Sequence, residues 1–123
     1  FVYSRNFGFS HRSPYVTSKW GVIGLMKSLA IELGPYNVKV NAICPGSVKG
    51  ERLEKVIEAE VKSKGMTRDK IYQAYTKGTS MKKLIHPNDI ANMTLFLSSS
   101  KSRLVSGQVI AVDGNTEVPD PKF

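Results

Sequence analysis

With one cysteine, Cys44, among its 123 residues, the chain cannot close an internal disulfide. Cys44 stands among apolar neighbours and reads as a buried structural thiol, so a reducing compartment and a cytoplasmic location are expected. No apolar run approaches about 18 residues, which excludes a membrane-spanning helix. The only two histidines, His11 and His86, have no metal-ligand set around them, and no metal is expected. Acidic residues are scarce, 10 Asp and Glu against 18 Lys and Arg, leaving a formal net charge of +8 that favours anionic partners. The lysines are dispersed, however, at Lys49, Lys55, Lys62, Lys64, Lys70, Lys77, Lys82 and Lys83, without the interleaved aromatics of a stacking platform. They read as solvated surface, and nucleic-acid binding is not expected. What is present, 41% hydrophobic and 23% charged residues, suffices for a packed core and argues against disorder.

Apolar periodicity organises the chain. Residues 1–10 lack an initiator methionine, a basic segment leading into an apolar core, and strand alternation; they read as an atypical edge and not as a signal peptide. Ser13 is a candidate cap and Pro14 suits the first turn of a helix, where its missing N–H costs nothing. Val22, Leu25, Met26, Leu29, Ala30 and Leu33 then recur at helical spacing until Gly34-Pro35, which is expected to stop the helix. Gly21 and Gly24 each weaken it by about 1 kcal/mol where exposed, so close packing against a neighbour is expected there. Trp20 and Ile23 mark a second apolar face.

Residues 38–43 (Val-Lys-Val-Asn-Ala-Ile) predict a strand, ended by the turn signal Pro45-Gly46. Residues 51–64 predict an amphipathic helix with Leu53, Val56, Ile57 and Val61 on one side, stopped by Gly65. Thr67 is a candidate cap for a shorter helix over residues 68–77. Together residues 47–80 are expected to form a substrate cover. Pro87 opens another helix that dissolves at Ser98-Ser99-Ser100, residues 108–112 predict a second strand, and Asp113-Gly114-Asn115 a turn in which Asp113 serves backbone N–H groups. The tail from residue 118 is expected to be irregular. This order predicts an α/β unit with two parallel strands and right-handed crossovers. Two such strands cannot cover both sheet faces and both edges, so the chain is expected to be part of a larger domain.

One pair carries chemistry. Tyr15 and Lys19 lie four positions apart at the start of the first helix, which places them one above the other on a single face. An ammonium held there favours the tyrosinate, bringing the phenol from its ordinary pKa of about 10 toward use as a proton donor and acceptor. In an open α/β sheet, ligands bind beyond the carboxyl ends of the strands, which points to residues 45–50.

These features occur in one conjunction. Tyr15-x-x-x-Lys19 is followed by Ser28-Leu29-Ala30-x-Glu32-Leu33-Gly34, by Val38-x-Val40-Asn41-Ala42-Ile43-x-Pro45-Gly46, by Pro87-x-Asp89-Ile90-Ala91, and by Ser106-Gly107-Gln108 leading into Val112-Asp113-Gly114. From about Gly8 to Asn115 the chain resembles the C-terminal half of the short-chain dehydrogenase/reductase family, and residues 45–57 resemble members often grouped with 3-oxoacyl-carrier-protein reductases and related alcohol or polyol dehydrogenases. The resemblance implies the C-terminal part of a doubly wound, NAD(P)-binding Rossmann-like domain, one partial domain over residues 1–123. It implies interconversion of a carbonyl and an alcohol in a small molecule (a 3-oxoacyl thioester, ketone or polyol), with NAD or NADP as cofactor. Tyr15 would be the general acid in reduction and the general base in oxidation. Lys19 would hold the nicotinamide ribose, and Pro45, Gly46, Ser47 and Val48 would line the nicotinamide. A homo-oligomer, dimer or tetramer, is implied, with the Tyr15 helix pairing between subunits.

Departures from the family pattern qualify these expectations. The glycine-rich turn that holds the cofactor pyrophosphate is not in this sequence, nor is the residue that chooses between NAD and NADP. The family's carbonyl-polarising serine would fall at Val2, which has no hydroxyl, and Ser4 is the nearest candidate. Asn6 is not at the position of the family's supporting asparagine, and Gly50 stands where many members carry a phosphate-touching threonine. The chain alone is therefore expected to bind cofactor barely or not at all. The alternative reading is an inactive fragment, or a segment that persists by packing on a partner. His11 falls in the loop before the catalytic helix as a possible rim contact, and His86 reads as structural or exposed.

Overall fold

A computed structural model describes residues 11–117. The expectations for Val2, Ser4, Asn6, the atypical edge over residues 1–10 and the tail from residue 118 lie outside the described residues.

Helix α1 (Ser13–Leu33) begins one residue earlier than its capping signal suggests. Arg12 is the N-cap, without a side-chain cap bond, and Ser13 is already helical. Gly34 does not stop the chain either. It stays right-handed and leads into a short 3-10 turn, Gly34–Tyr36, and the reversal comes at Asn37 with φ 60°. There the Val38 N–H donates to Leu33 O at 3.2 Å and the Asn37 N–H to Gly34 O at 2.9 Å. This paired closure needs one left-handed residue, a role asparagine fills when glycine does not.

Strand β1 (Ala42–Pro45) pairs in parallel with β2 (Val109–Val112), in a register from Ala42 opposite Val109 to Pro45 opposite Val112. The strand expected over residues 38–43 thus lies further along. The reason is Asn41, whose side chain replaces the ladder: its Nδ2 donates to Val105 O at 2.8 Å and its Oδ1 accepts from the Gln108 N–H at 3.1 Å. True pairing begins only at Ala42, whose N–H donates to Gln108 O. Because alternate residues donate to one neighbour in a parallel ladder, the next groups facing β2 come at positions 44 and 46, and the Gly46 N–H reaches Val112 O at 2.9 Å. Pro45, which has no N–H, therefore falls where no donor to β2 is needed.

Helices α2 (Glu51–Lys64) and α3 (Arg68–Lys77) follow, as expected from Gly65 and Thr67. Gly65 takes the left-handed C-cap at φ 62°, and Thr67 Oγ1 accepts from the Lys70 N–H at 3.4 Å. They pack on each other, with Ile57 and Ile71 both at 0% exposure. Tyr75 donates to Glu60 Oε1 at 3.0 Å and Arg68 pairs with Glu54 across the same contact. The residues read as a cover have a core of their own.

Helix α4 (Pro87–Ser98) packs against both strands. His86 is its N-cap: the His86 N–H donates to Asp89 Oδ2 at 2.8 Å, and His86 Nδ1 accepts from the Asn88 N–H at 3.2 Å. Its C-terminus is held by a residue the periodicity did not single out. Lys39 Nζ donates to Leu97 O at 2.9 Å, Ser102 O at 3.1 Å and Ser102 Oγ at 2.9 Å, placing an ammonium on the negative end of the helix.

Helix α1 is the exception to this packing. Only Met26 is buried on it, while Trp20 (46%), Val22 (58%), Leu25 (59%) and Ile31 (78%) are exposed. Its described ties to the sheet region are local: Lys27 Nζ donates to Gly107 O at 3.2 Å and the Ala30 side chain lies beside Gly107. The second apolar face at Trp20 and Ile23 is thus not buried here, and nothing approaches the places a methyl group would take at Gly21 and Gly24. The strands are also mostly half-buried, with Cys44 the buried exception. An incomplete Rossmann-like α/β fold results, with two parallel strands and flanking helices.

Candidate active site

Tyr15 and Lys19 share one surface of α1. Lys19 Nζ stands over the Tyr15 ring, 5.6 Å from its centroid, as helical spacing requires of positions i and i+4. The ammonium meets the ring face. Burial raises the Tyr15 pKa above 10.0, and the guanidinium groups of Arg12 and Arg52 oppose that rise. The net direction is upward, opposite to the lowering expected at the Tyr15–Lys19 pair, because partial burial disfavours the anion by more than Arg12 and Arg52 favour it.

Beyond the carboxyl end of β1 lies a cleft of about 560 Å³, which gathers Pro45, Gly46, Ser47 and Val48, four of the residues expected to line a nicotinamide. Arg12 and Arg52 line the same cleft, so the cations that act on the phenol also form the cleft wall. Gly46 is required by close approach. A Cβ on it would lie 2.9 Å from Asp113 Cα and 2.9 Å from Ile85 Cγ1, closer than carbon atoms pack. Asp113 is itself fixed as a turn residue, its Oδ1 accepting from the Asn115 N–H at 3.0 Å.

The next segment runs beside Ile85. The Ile85 N–H donates to Ser47 O at 2.9 Å and the Lys49 N–H donates to Ile85 O at 2.8 Å. These bonds use groups on either side of Val48, so the N–H and C=O of Val48 itself point away from Ile85. Ser4 lies outside the described residues. Gly50, where a phosphate-touching threonine was a family expectation, is the N-cap of α2 and lines the cleft with no side chain to offer. Among the described residues no group of three or more His, Cys, Asp or Glu could hold a metal, and no helix is long and apolar enough to cross a membrane.

A family profile described as Enoyl-(Acyl carrier protein) reductase matches residues 2–115. The chain belongs to the short-chain dehydrogenase/reductase family. It is 33% identical over 104 residues to D-beta-hydroxybutyrate dehydrogenase of Rhizobium meliloti (strain 1021), covering 84% of this chain and 40% of that protein. Among solved structures, a short-chain dehydrogenase family protein from Francisella tularensis superposes with TM-score 0.82 at 28% identity, over 90% of this chain and 46% of that one. L-sorbose reductase of Gluconobacter frateurii, solved with NADPH and L-sorbose, superposes with TM-score 0.77 at 26% identity, over 83% of this chain and 39% of that one. This short-chain dehydrogenase/reductase chain thus spans about two-fifths of the length of the curated relatives it matches. Two contributors to its cleft, Arg12 and Arg52, were not singled out from the sequence. An arginine two residues before a proline and another in a polar helix carry no motif, and only the fold brings them to one cleft.

Proposed function

We propose that this chain supplies the proton-transferring and nicotinamide-facing part of an NAD(P)-dependent oxidoreductase that interconverts a carbonyl and an alcohol in a small molecule. The observation that carries this reading is the cleft at the end of β1, lined by Pro45, Gly46, Ser47 and Val48 together with Arg12, the N-cap of the helix that bears Tyr15 and Lys19. The residues present suit the nicotinamide end of such a cofactor. Pro45 and Gly46 bring the backbone close to Asp113, and Val48 directs its N–H and C=O away from Ile85, a donor–acceptor pair suited to a carboxamide. When bound, the cofactor supplies or accepts the hydride.

Tyr15 then gives its proton to the carbonyl oxygen in reduction and, as phenolate, takes it back in oxidation. The raised pKa keeps the phenol protonated at neutral pH, the state reduction needs. Lys19, one turn along, holds the ribose hydroxyls of the bound cofactor. Helices α2 and α3, with their own buried contact at Ile57 and Ile71, cover the substrate. The sheet edge of β1 and the exposed face of α1 pack on the remainder of a doubly wound domain, and the assembled protein is a homo-oligomer.

A chimera tests this reading: the chain joined behind the cofactor-holding half of a related reductase. Ketone reduction followed by nicotinamide absorbance should fall about 10²- to 10⁴-fold on Tyr15→Phe, the usual size of a general-acid contribution. Unchanged turnover in the Tyr15→Phe chimera, with cofactor bound, would remove the proposal.

The exposed apolar residues of α1 support a second reading, a segment without activity of its own that persists by packing on a partner. Under it, the chimera would assemble and bind cofactor while turning over no carbonyl compound.

A further inference from the structure

A second groove, of about 670 Å³, runs along helix α3 and shares no residue with the cleft at the end of β1. Grooves of that order of volume hold small organic molecules. Lys70, Gln73, Ala74 and Lys77 line it at positions i, i+3, i+4 and i+7, one face of the helix. Ile71 and Tyr75, on the other side of α3, serve its contact with α2. The two lysines stand two turns apart, so about 10 Å separates their backbones along the helix axis. Lys82 joins the Lys77 end, where its Nζ donates to Lys77 O at 2.6 Å. Met66, just before the Thr67 cap, lies at the Lys70 end, and the small side chain of Ala74 leaves room in the middle.

The groove therefore has a cation at each end and an apolar floor between. No carboxylate lines it; Asp69, in the same turn as Lys70, does not. Among the described residues, none of the three ammonium groups has an ion-pair partner. We propose that this groove binds an elongated organic dianion, an α,ω-dicarboxylate with a negative group at each end of an apolar chain. Lys77 and Lys82 hold one carboxylate, Lys70 holds the other, and Met66 and Ala74 support the chain between them. A ligand charged at one end only leaves half of the cationic groove unanswered, and a neutral chain leaves both ends so. The site is separate from the carbonyl–alcohol chemistry proposed for Tyr15 and stands or falls without it.

The full 123-residue chain, labelled with ¹⁵N, is titrated by NMR at low ionic strength with three probes. They are suberate, its neutral dimethyl ester, and succinate, which carries the same charges on a shorter chain. Suberate should move the amide resonances of Lys70, Gln73, Ala74 and Lys77 at a concentration about tenfold lower than either control, because exposed ion pairs and covered methylene groups each add a modest share. Gly46, Ser47 and Val48 should stay where they are. Lys70→Gln with Lys77→Gln, both at exposed positions, should weaken suberate about fivefold or more with the helix content by circular dichroism unchanged. Ala74→Glu, which sets a carboxylate in the middle of the groove, should abolish the response.

Succinate as effective as suberate would reduce the groove to surface charge, and the ester as effective would reduce it to an apolar patch; either overturns the proposal. Octanoate binding as tightly as suberate would overturn the requirement for two charged ends. Suberate affinity retained after both lysine substitutions, or shifts centred on Gly46, Ser47 and Val48, would remove the site from α3 altogether.

Discussion

Lys19 Nζ sits 5.6 Å from the centroid of the Tyr15 ring, over its face, and the guanidinium groups of Arg12 and Arg52 also act on the Tyr15 hydroxyl. The spacing of the pair is helical and the sequence sets it. The electrostatics of the phenol are not. Burial favours the neutral form in the folded chain, so Tyr15 keeps its proton to a higher pH than the ordinary 10.0.

A titration of ¹³C-labelled tyrosine should therefore show Tyr15 ionising above its ordinary value, with Arg12→Gln and Arg52→Gln each moving it higher still. Lys19→Met should move it less than either. The linkage follows the same sign. A proton held more tightly in the folded state gives a contribution that is complete below about pH 10 and is lost as pH rises through the folded pKa. A Tyr15 that titrates below 10, or that responds chiefly to Lys19, would contradict this account.

Cofactor binding by the chain alone should be very weak. The cleft offers the nicotinamide end, and the sequence holds no glycine-rich turn for the pyrophosphate. Nicotinamide fluorescence during titration with NADH and with NADPH should show no saturation in the micromolar range, and a micromolar Kd for either would be the contrary result.

Replacement of Gly46 by Ala should disturb the cleft from beneath. The added methyl group would meet the Asp113 backbone and Ile85 at 2.9 Å, and backbone cannot rotate aside as a flexible side chain can. Overpacking of this kind costs about 1–3 kcal/mol. Amide exchange at Gly46 and Val112, across the end of the sheet, should accelerate in the variant, whereas Gly50→Ala, with open space around it, should leave those amides unchanged.

Lys39→Met should loosen the far end of α4. The ammonium serves Leu97 O and both oxygens of Ser102, and its removal leaves part-buried acceptors without that donor at a cost of roughly 1–3 kcal/mol. Circular dichroism during urea titration would measure it, and Lys101→Met, on an exposed side chain nearby, is the control expected to change little.

The exposed apolar face of α1 should make the chain self-associate. Trp20, Val22 and Leu25 leave in water what a parallel α/β domain ordinarily covers. Light scattering should show concentration-dependent association that Val22→Lys with Leu25→Glu diminishes, and a time course of proteolysis should cut the chain readily at low concentration. A compact, protease-resistant monomer would contradict the incomplete-fold account.

Much of the architecture was legible because it is written in local chemistry. Pro87, Gly65 and Thr67 mark helix ends through properties of their own backbones, and the bounds of α2 and α3 follow the periodicity between them. The ends of α1 and β1 were less legible. Asn37 displaces Gly34 as the left-handed residue, and the Asn41 side chain displaces the first rungs of the ladder; both are settled by what the rest of the fold offers those groups. Within the site, Pro45 to Val48 could be read as a strand end with a turn, and the cleft gathers them. Arg12 and Arg52 could not be read, since their 40 residues of separation close only when β1 lays α2 beside the start of α1.

The sequence by itself determined the spacing of Tyr15 and Lys19, the order of helices and strands, and the family, because i and i+4 neighbours, caps and turns act over a few residues. Only the tertiary structure decided which cations reach the Tyr15 phenol, why position 46 must lack a side chain, and that Lys39 closes a helix ending at Ser98. Those outcomes depend on groups far apart in the chain meeting in space, where burial and Coulombic interaction act and sequence distance does not.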